Sequence, residues 1–377
     1  GSKAYPYSEM QRLEYEKNFS LSAAAGREYA VVSARFILRD LNEVMALLSD
    51  SVLNPLLGEE DFATIITDER AGIQNTLSNP SGVLGLELTK AAFAGHPYAS
   101  PASVTAETID AITLEDVRAH HAALLDAARF SVVAVGNFSA KEQKQLVAAL
   151  NATLGALSAV TGENAFKRPE VPALTVAAGA ETVYASCEAA GDTGYISGVF
   201  ACPDRTGDQY VPFAIALMYI DDLLFAQVRE EHGAVYSAGT GVLGGRELLG
   251  ALSLYKATEK KDLQRYVLDA IESFPSEAEI ETTLDRYKNK YITSLFSSSQ
   301  TSGGVASNIV RSLAYYGSPS QYLHRAEQVQ AVTAHDVALA YSTYLARSSE
   351  RALNGKVPPM QWIVVSGKDA VHEFVFK

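Results

Sequence analysis

Apolar positions along this chain follow two different periods. Leu41, Val44, Met45, Leu48 and Val52 recur at helical spacing, as do Leu263, Val267, Ile271 and Phe274, so each run predicts a helix that buries one stripe. Before those helices stand β-rich stretches, EYAVVSARFIL (28–38) and LLGALSLY (248–255), and the earlier runs TVYAS (182–186) and GYISGVFAC (194–202) are strand-like too. Thr113 with Asp116, and Thr333 with Asp336, fit Thr-x-x-Asp capping boxes. In such a box the hydroxyl accepts the N3 amide while the carboxylate sits at the positive helix end, so each pair opens a helix. Strands grouped ahead of helices predict an α+β fold, an antiparallel sheet packed by helices, rather than alternating βαβ units.

The pattern also repeats. Asp40-Leu41 pairs with Asp262-Leu263 at an offset of 222, Gly95 in AAFAGHPY with Gly317 in LAYYGSPSQY at the same offset, and ITLEDVRAHHAALL (112–125) with VTAHDVALAYSTYL (332–345) at 220. Each of the last pair is followed by a short apolar run, FSVVAVG (130–136) or QWIVVSG (361–367). Two tandem copies of one domain, each about 220 residues, are the economical reading. Residues 1–160 form the first, residues 161–180, with Pro169, Pro172 and no period, the linker, and residues 181–377 the second. Applied to the whole chain, the offset leaves residues near 175–221 of the second copy without a counterpart. The first copy is therefore expected to be N-terminally truncated, short of its opening strands and first helix by roughly 63 residues.

Composition narrows the function classes. The 377 residues are 47% hydrophobic and 20% charged, as in a packed soluble protein, and 31 Lys+Arg against 44 Asp+Glu give a net charge of −13. With no run of basic residues, a nucleic-acid or anionic-membrane surface is disfavoured, and a basic peptide is the better-matched partner. Two cysteines, Cys187 and Cys202, are too few for a disulfide framework, and one optional bridge between them settles no compartment. GSKAYPYSEM shows no signal peptide, and no stretch of 18 or more predominantly apolar residues is evident; the longest candidate, 145–162, reads as a soluble Ala-rich helix.

FAGHPYASPASVTAETIDAITLEDVRAHHAALLDAARFSVVAVGNFSAKEQKQLVAAL (93–150) resembles the insulinase/pitrilysin family of zinc metallopeptidases, the inverzincins, whose motif is H-x-x-E-H. LLFAQVREEHGAVYSAGTG (223–241) is similar to that family's R-E-x-x-G-x-x-Y segment. The resemblance implies two tandem homologous α/β-roll domains laid out like the subunits of processing peptidases. It implies that Arg229 and Tyr236 bind the substrate backbone and support the tetrahedral intermediate, as a guanidinium and a phenol can do for developing oxyanion charge. From the residues themselves, Gly233 is a natural C-cap, so the helix carrying Arg229 ends there and Tyr236 enters the next strand.

Zinc is the metal the resemblance implies, yet no H-x-x-E-H or H-E-x-x-H occurs, so no catalytic residue is assigned and this chain is not expected to hold the metal. His120 and His121 are adjacent and point apart on a helix. Counting from the matching segment places the family's Glu ligand at Gly72, which has no donor; Glu69, one turn earlier on the same face, is the weak alternative. His96-Pro97-Tyr98 reads as a rigid, locally bonded turn, and Asp221-Asp222 as a solvated edge because adjacent helical positions diverge.

Three functions are compatible with these residues. The first is a subunit of a processing-type zinc endopeptidase, inactive alone, that lends Arg229 and Tyr236 to a peptide or unfolded-protein substrate in a homodimer or heterodimer with a zinc-carrying chain. The second is a homodimeric active zinc peptidase seen without its metal-binding segment. The third is a non-catalytic core-protein-like scaffold or peptide-binding subunit. The resemblance is compatible with bacterial cytoplasm or periplasm and with the mitochondrial matrix.

Overall fold

The computed structural model describes residues 1–377, the side chain of Ala156 excepted. In the first repeat the elements are α1 (Tyr7–Lys17), β1 (Ser20–Ala25), β2 (Ala30–Arg35), α2 (Leu41–Leu53), α3 (Glu59–Ser78), α4 (Pro80–Ala92), α5 (Leu114–Leu124) and α6 (Ala140–Thr153). In the second they are β3 (Val183–Ser186), β4 (Gly194–Ala201), α7 (Tyr210–Leu223), β5 (Ser237–Gly244), β6 (Leu248–Ala257), α8 (Leu263–Glu272), α9 (Glu277–Ser298), α10 (Ser302–Tyr316), α11 (Arg325–Ala331), α12 (Ala334–Ala340) and β7 (Met360–Ser366). The fold is α+β, with tandem, related halves.

Local conformation bears out the repeat. Asp40 and Asp262 precede α2 and α8 with φ of −97° in both, Gly95 and Gly317 are left-handed at +73° and +71°, and Thr113 and Thr333 form complete capping boxes. The backbone adds a further matched pair. Asn79 and Thr301 cap α4 and α10 by accepting the amides of Gly82 and Gly304. A Cβ at Gly82 would lie 2.4 Å from Thr76 O, and one at Gly304 2.1 Å from Ser298 O, so both copies need glycine there for the same close backbone approach.

The residues group into two compact units, each drawing on both repeats: Gly1–Glu69, Glu107–Glu170 and Ser298–Pro319 form one, and Arg70–Ala106, Val171–Ser297 and Ser320–Lys377 the other. The second unit holds a five-stranded sheet in the order β3-β7-β4-β6-β5. It is mixed rather than purely antiparallel: β3 runs parallel to β7, which can arise because the whole second repeat separates them, while β4, β6 and β5 are antiparallel neighbours. Alternation sorts the side chains. Ile196, Phe200, Leu252, Leu254, Trp362 and Val364 join the core built with α7, α8 and α12, and Tyr195, Val199, Leu249, Ile363 and Val365 face Val83, Leu84, Phe93 and Tyr98 from α4 and the turn after it. One helix and turn of the first repeat thus cover the far face of the second repeat's sheet. Linker residues Val171, Leu174 and Val176 pack on that face as well.

Among the described residues, the first unit's sheet is the hairpin β1-β2, and its core is small: Leu13, Phe19, Val44 and Leu47. Leu41, Val44 and Met45 bury as expected, but Leu47 takes the place expected of Leu48 and Val52, which are half-buried. FSVVAVG (130–136), the counterpart of β7, forms no strand and none of its residues is buried. The repeat supplies the reason: β7 is held between β3 and β4, and the first unit, as described, contains no counterpart of either.

The expectation that no stretch of 18 or more predominantly apolar residues occurs is corrected: Tyr210–Glu231 is long and apolar enough to cross a membrane by length and composition, and it is the core helix of the second unit, more than half buried. Both cysteines are free, Cys187 buried and Cys202 half-buried.

A close ring-to-backbone contact at the centre of the sheet is testable. A Cβ at Gly250 on β6 would stand 2.2 to 2.8 Å from three ring atoms of Phe200, itself 1% exposed. Gly250→Ala is expected to destabilise the protein by about 1–3 kcal/mol. A chemical denaturation midpoint equal to that of the unsubstituted protein would contradict this packing.

Candidate functional site

Arg229 sits on a π-helical stretch, Leu224–Glu231, that continues α7. Such wider turns are uncommon and recur at functional positions. Leu224 and Val228 are fully buried, which turns Arg229 outward with Phe225. Gly233, at φ +59°, ends the helix: its amide donates to Arg229 O at 3.1 Å and the Ala234 amide to Val228 O at 3.0 Å. Three residues later Tyr236 donates its amide to Tyr255 O at 3.1 Å, immediately before β5.

The helix end and the strand mouth therefore present one rim. The Arg229 guanidinium carbon lies 5.0 Å from the Phe225 ring centre and 5.9 Å from that of Tyr236. Lys256 brings its ammonium 5.6 Å from the Tyr236 ring. Lys256 is left-handed at φ +52°, beside a register shift between β4 and β6, and that unusual backbone accompanies its placement. Tyr236 is 68% exposed, and the Arg229 side chain, beyond a 3.6 Å contact with Glu230, is open to solvent. Two cations and a phenol facing water can receive a peptide carbonyl or a developing oxyanion. Phe225 and Lys256 join the rim without a sequence signal: a left-handed lysine gives no sign of its conformation where Gly or Asn would have announced one.

Asp221 and Asp222 diverge as expected but are not a solvated edge. Asp221 Oδ1 accepts from the Thr240 amide at 2.6 Å and from its hydroxyl at 2.8 Å, tying α7 to β5. That tie closes the segment between them, on which Arg229 and Tyr236 both lie. Burial pushes the Asp221 carboxyl above its ordinary range against those bonds. Asp222 accepts from the Tyr287 hydroxyl and Arg286, each at 2.8 Å, and from Lys290 at 3.3 Å. Burial is the largest influence on Asp222 and acts upward, but the Tyr287 bond and the two cations outweigh it and hold this carboxyl below its ordinary range.

The other predicted positions stand apart from this rim. His96 Nδ1 accepts from the Tyr98 amide at 3.1 Å and its Nε2 lies 2.9 Å from Pro172 O, so the turn is locally bonded and fastened to the linker. Tyr98 packs edge-on against Phe93 and His96. His121 Nε2 is 2.7 Å from Val52 O, while His120 is exposed. Glu69 lies exposed on α3, and a Cβ at Gly72 would meet nothing within 4 Å, so no steric demand keeps glycine there. Among the described residues no three His, Cys, Asp or Glu side chains converge. Among the described residues the donors present do not fit a zinc ion.

Comparison with known proteins gives these observations a family. The family model described as "Insulinase (Peptidase family M16)" matches residues 1–106, and "Peptidase M16 inactive domain" matches residues 111–304. This chain belongs to the M16 family of peptidases, a zinc metallopeptidase family, and carries its inactive-type domain. Its fold is similar to that of a peptidase M16 inactive domain from Pseudomonas fluorescens (TM-score 0.77, 18% identity, covering 98% of this chain and 85% of that one). A protease from Helicobacter pylori is also similar (TM-score 0.76, 13% identity, covering 97% and 86%). So is the periplasmic protease PqqL from Escherichia coli (TM-score 0.74, 15% identity, covering 98%), of whose length this chain spans 39%. At these identities the likeness is one of fold. No curated protein sequence matches the chain.

The two aspartates are expected to respond oppositely to pH. Asp221, raised on folding, contributes stability that is present below the ordinary carboxylate value and lost as pH rises through its folded value. Asp222, depressed on folding, contributes stability that is present above that value and lost as pH falls through its folded value. Unfolding free energies measured across the acid range should show the advantage of the unsubstituted protein over Asp221→Asn shrinking as pH rises, and its advantage over Asp222→Asn shrinking as pH falls. Parallel profiles for the two variants would overturn the assignment.

Proposed function

We propose that this chain is a subunit of a processing-type zinc endopeptidase, inactive alone, which presents Arg229 and Tyr236 to a peptide held by a zinc-carrying partner chain. The observation that carries the reading is the rim itself. A guanidinium and a phenol stand together on an open edge, positioned by a π-helical turn and pinned by Asp221, with no converging ligand set among the described residues. In that role Arg229 donates to the substrate carbonyl, and the Tyr236 hydroxyl to the oxygen on which charge develops in the transition state. Lys256 adds positive potential to the same edge, and Phe225 offers an apolar contact for a substrate side chain. Gly72, at the position matching the family's Glu ligand, supports a chain that leaves metal binding to its partner.

A second reading has its own observation. The first unit, as described, lacks counterparts of β3 and β4, which favours a peptidase whose remaining strands and metal motif come from a further segment. The two readings separate in a reconstituted assay with a zinc-carrying family subunit. Under the first, this chain hydrolyses no peptide by itself. The mixture does, and Arg229→Ala or Tyr236→Phe lowers its turnover on the order of 10²-fold with a smaller change in KM. Unchanged turnover in both variants would refute the transition-state role and favour a scaffold. Peptide hydrolysis by the purified holoprotein without any partner would favour the second reading.

A further inference from the structure

Among the described residues, the second unit also holds two guanidinium groups with no ion-paired carboxylate. Arg325, at the start of α11, is 7% exposed, and Arg205 lies in the loop before α7. Both face the ring of Tyr210, the first residue of α7, at 5.0 Å for Arg205 and 5.1 Å for Arg325. The two charges are therefore no more than about 10 Å apart, close enough to repel in a half-buried site. Arg325 donates to Arg205 O at 3.3 Å and to Gln321 Oε1 at 3.0 Å. The Nε of Arg205 is buried without a partner, as is the Oε1 of Gln209. Among the described residues, no carboxylate is ion-paired with either arginine.

Arginine cannot shed its proton to relieve burial, so its charge must be offset. The groups nearby do not supply the anion. Burial raises the phenols of Tyr210 and Tyr291 and pushes the Cys202 thiol up to about 12, leaving all three neutral at physiological pH. Asp204 is exposed and commits Oδ1 to the Thr206 amide and hydroxyl. α7 begins with no side-chain cap and no acidic residue in its first turn, and Asp208, just ahead of it, is exposed and is not ion-paired with either arginine, so the helix end adds its positive potential beside them.

We propose that Arg205 and Arg325 clamp a small oxyanion at the head of α7. Its chemistry is that of a phosphate or a carboxylate, the two groups that match a guanidinium fork. The site lies apart from the Arg229–Tyr236 rim and does not depend on its function. The test is calorimetric titration of the full chain with inorganic phosphate and, separately, with acetate, at constant ionic strength in chloride. Saturable binding of at least one anion is expected, weakened about tenfold or more by Arg205→Gln and by Arg325→Gln. Binding of phosphate alone would point to a free phosphate or phosphoryl ligand, and binding of acetate to a carboxylate such as a peptide terminus. Should Arg325→Gln fail to fold, Arg205→Gln on the loop carries the comparison. Absence of saturable binding by either anion, or unsubstituted affinity in the folded variants, would overturn the proposal.

Discussion

The strand β4 is the constraint on which the second half of this molecule depends. Its residues Gly194–Phe200 are buried on both faces, and it hydrogen-bonds to β6 on one side and β7 on the other. Each ladder fixes a register, and the register decides which residues meet which layer. Ile196 and Phe200 go to the helices of the second repeat, and Tyr195 and Val199 to α4 and the turn at His96. Gly198 lies against Trp362 and Met360, and Gly250 on β6 against Phe200, so backbone and aromatic rings interlock across the centre. The first unit, in which no such strand is paired among the described residues, is built differently. Its hairpin is its one sheet as described, none of the apolar run 130–136 is buried, and α5 and α6 bury no residue, whereas α12, the counterpart of α5, does.

The candidate site inherits its geometry from this frame. α7 packs on the sheet, passes into the π-helical turn, and returns through Gly233 to β5, with Asp221 bonded to Thr240 across the loop. Arg229 and Tyr236 are exposed, but the backbone that carries them is anchored by Leu224, Val228, Ala234 and Val235, all buried. An exposed pair on an anchored loop suits a binding edge: the side chains are free to meet a ligand while their origin does not move.

Much of this is legible in the chain because it rests on local chemistry. Thr113 and Thr333 announce their helices through their own side chains, Gly95 and Gly317 through left-handed turns, and β2, β3, β4 and β7 through runs that carry Val or Ile. Features that depend on tertiary contact are not legible. Nothing local says that Val83 and Leu84 of the first repeat cover the sheet of the second, or that half-buried Asp221 bonds to Thr240 while Asp222 next to it pairs with Arg286 and Lys290. The shared close approach of Gly82 and Gly304 to a carbonyl six residues earlier is invisible until the backbone is built. The run FSVVAVG resembles QWIVVSG in pattern yet forms no strand, because a strand is a property of its neighbours as much as of its sequence.

That a paired central strand completes the second unit while the first, as described, has none is tested most directly by amide hydrogen exchange on the native chain. Amides of β4, β6 and β7 are predicted to be the slowest to exchange, opening only with global unfolding, while those of Phe130–Gly136 exchange orders of magnitude faster. Protection of 130–136 equal to that of β7 would mean that the run is held in a sheet after all, and would contradict this difference between the units.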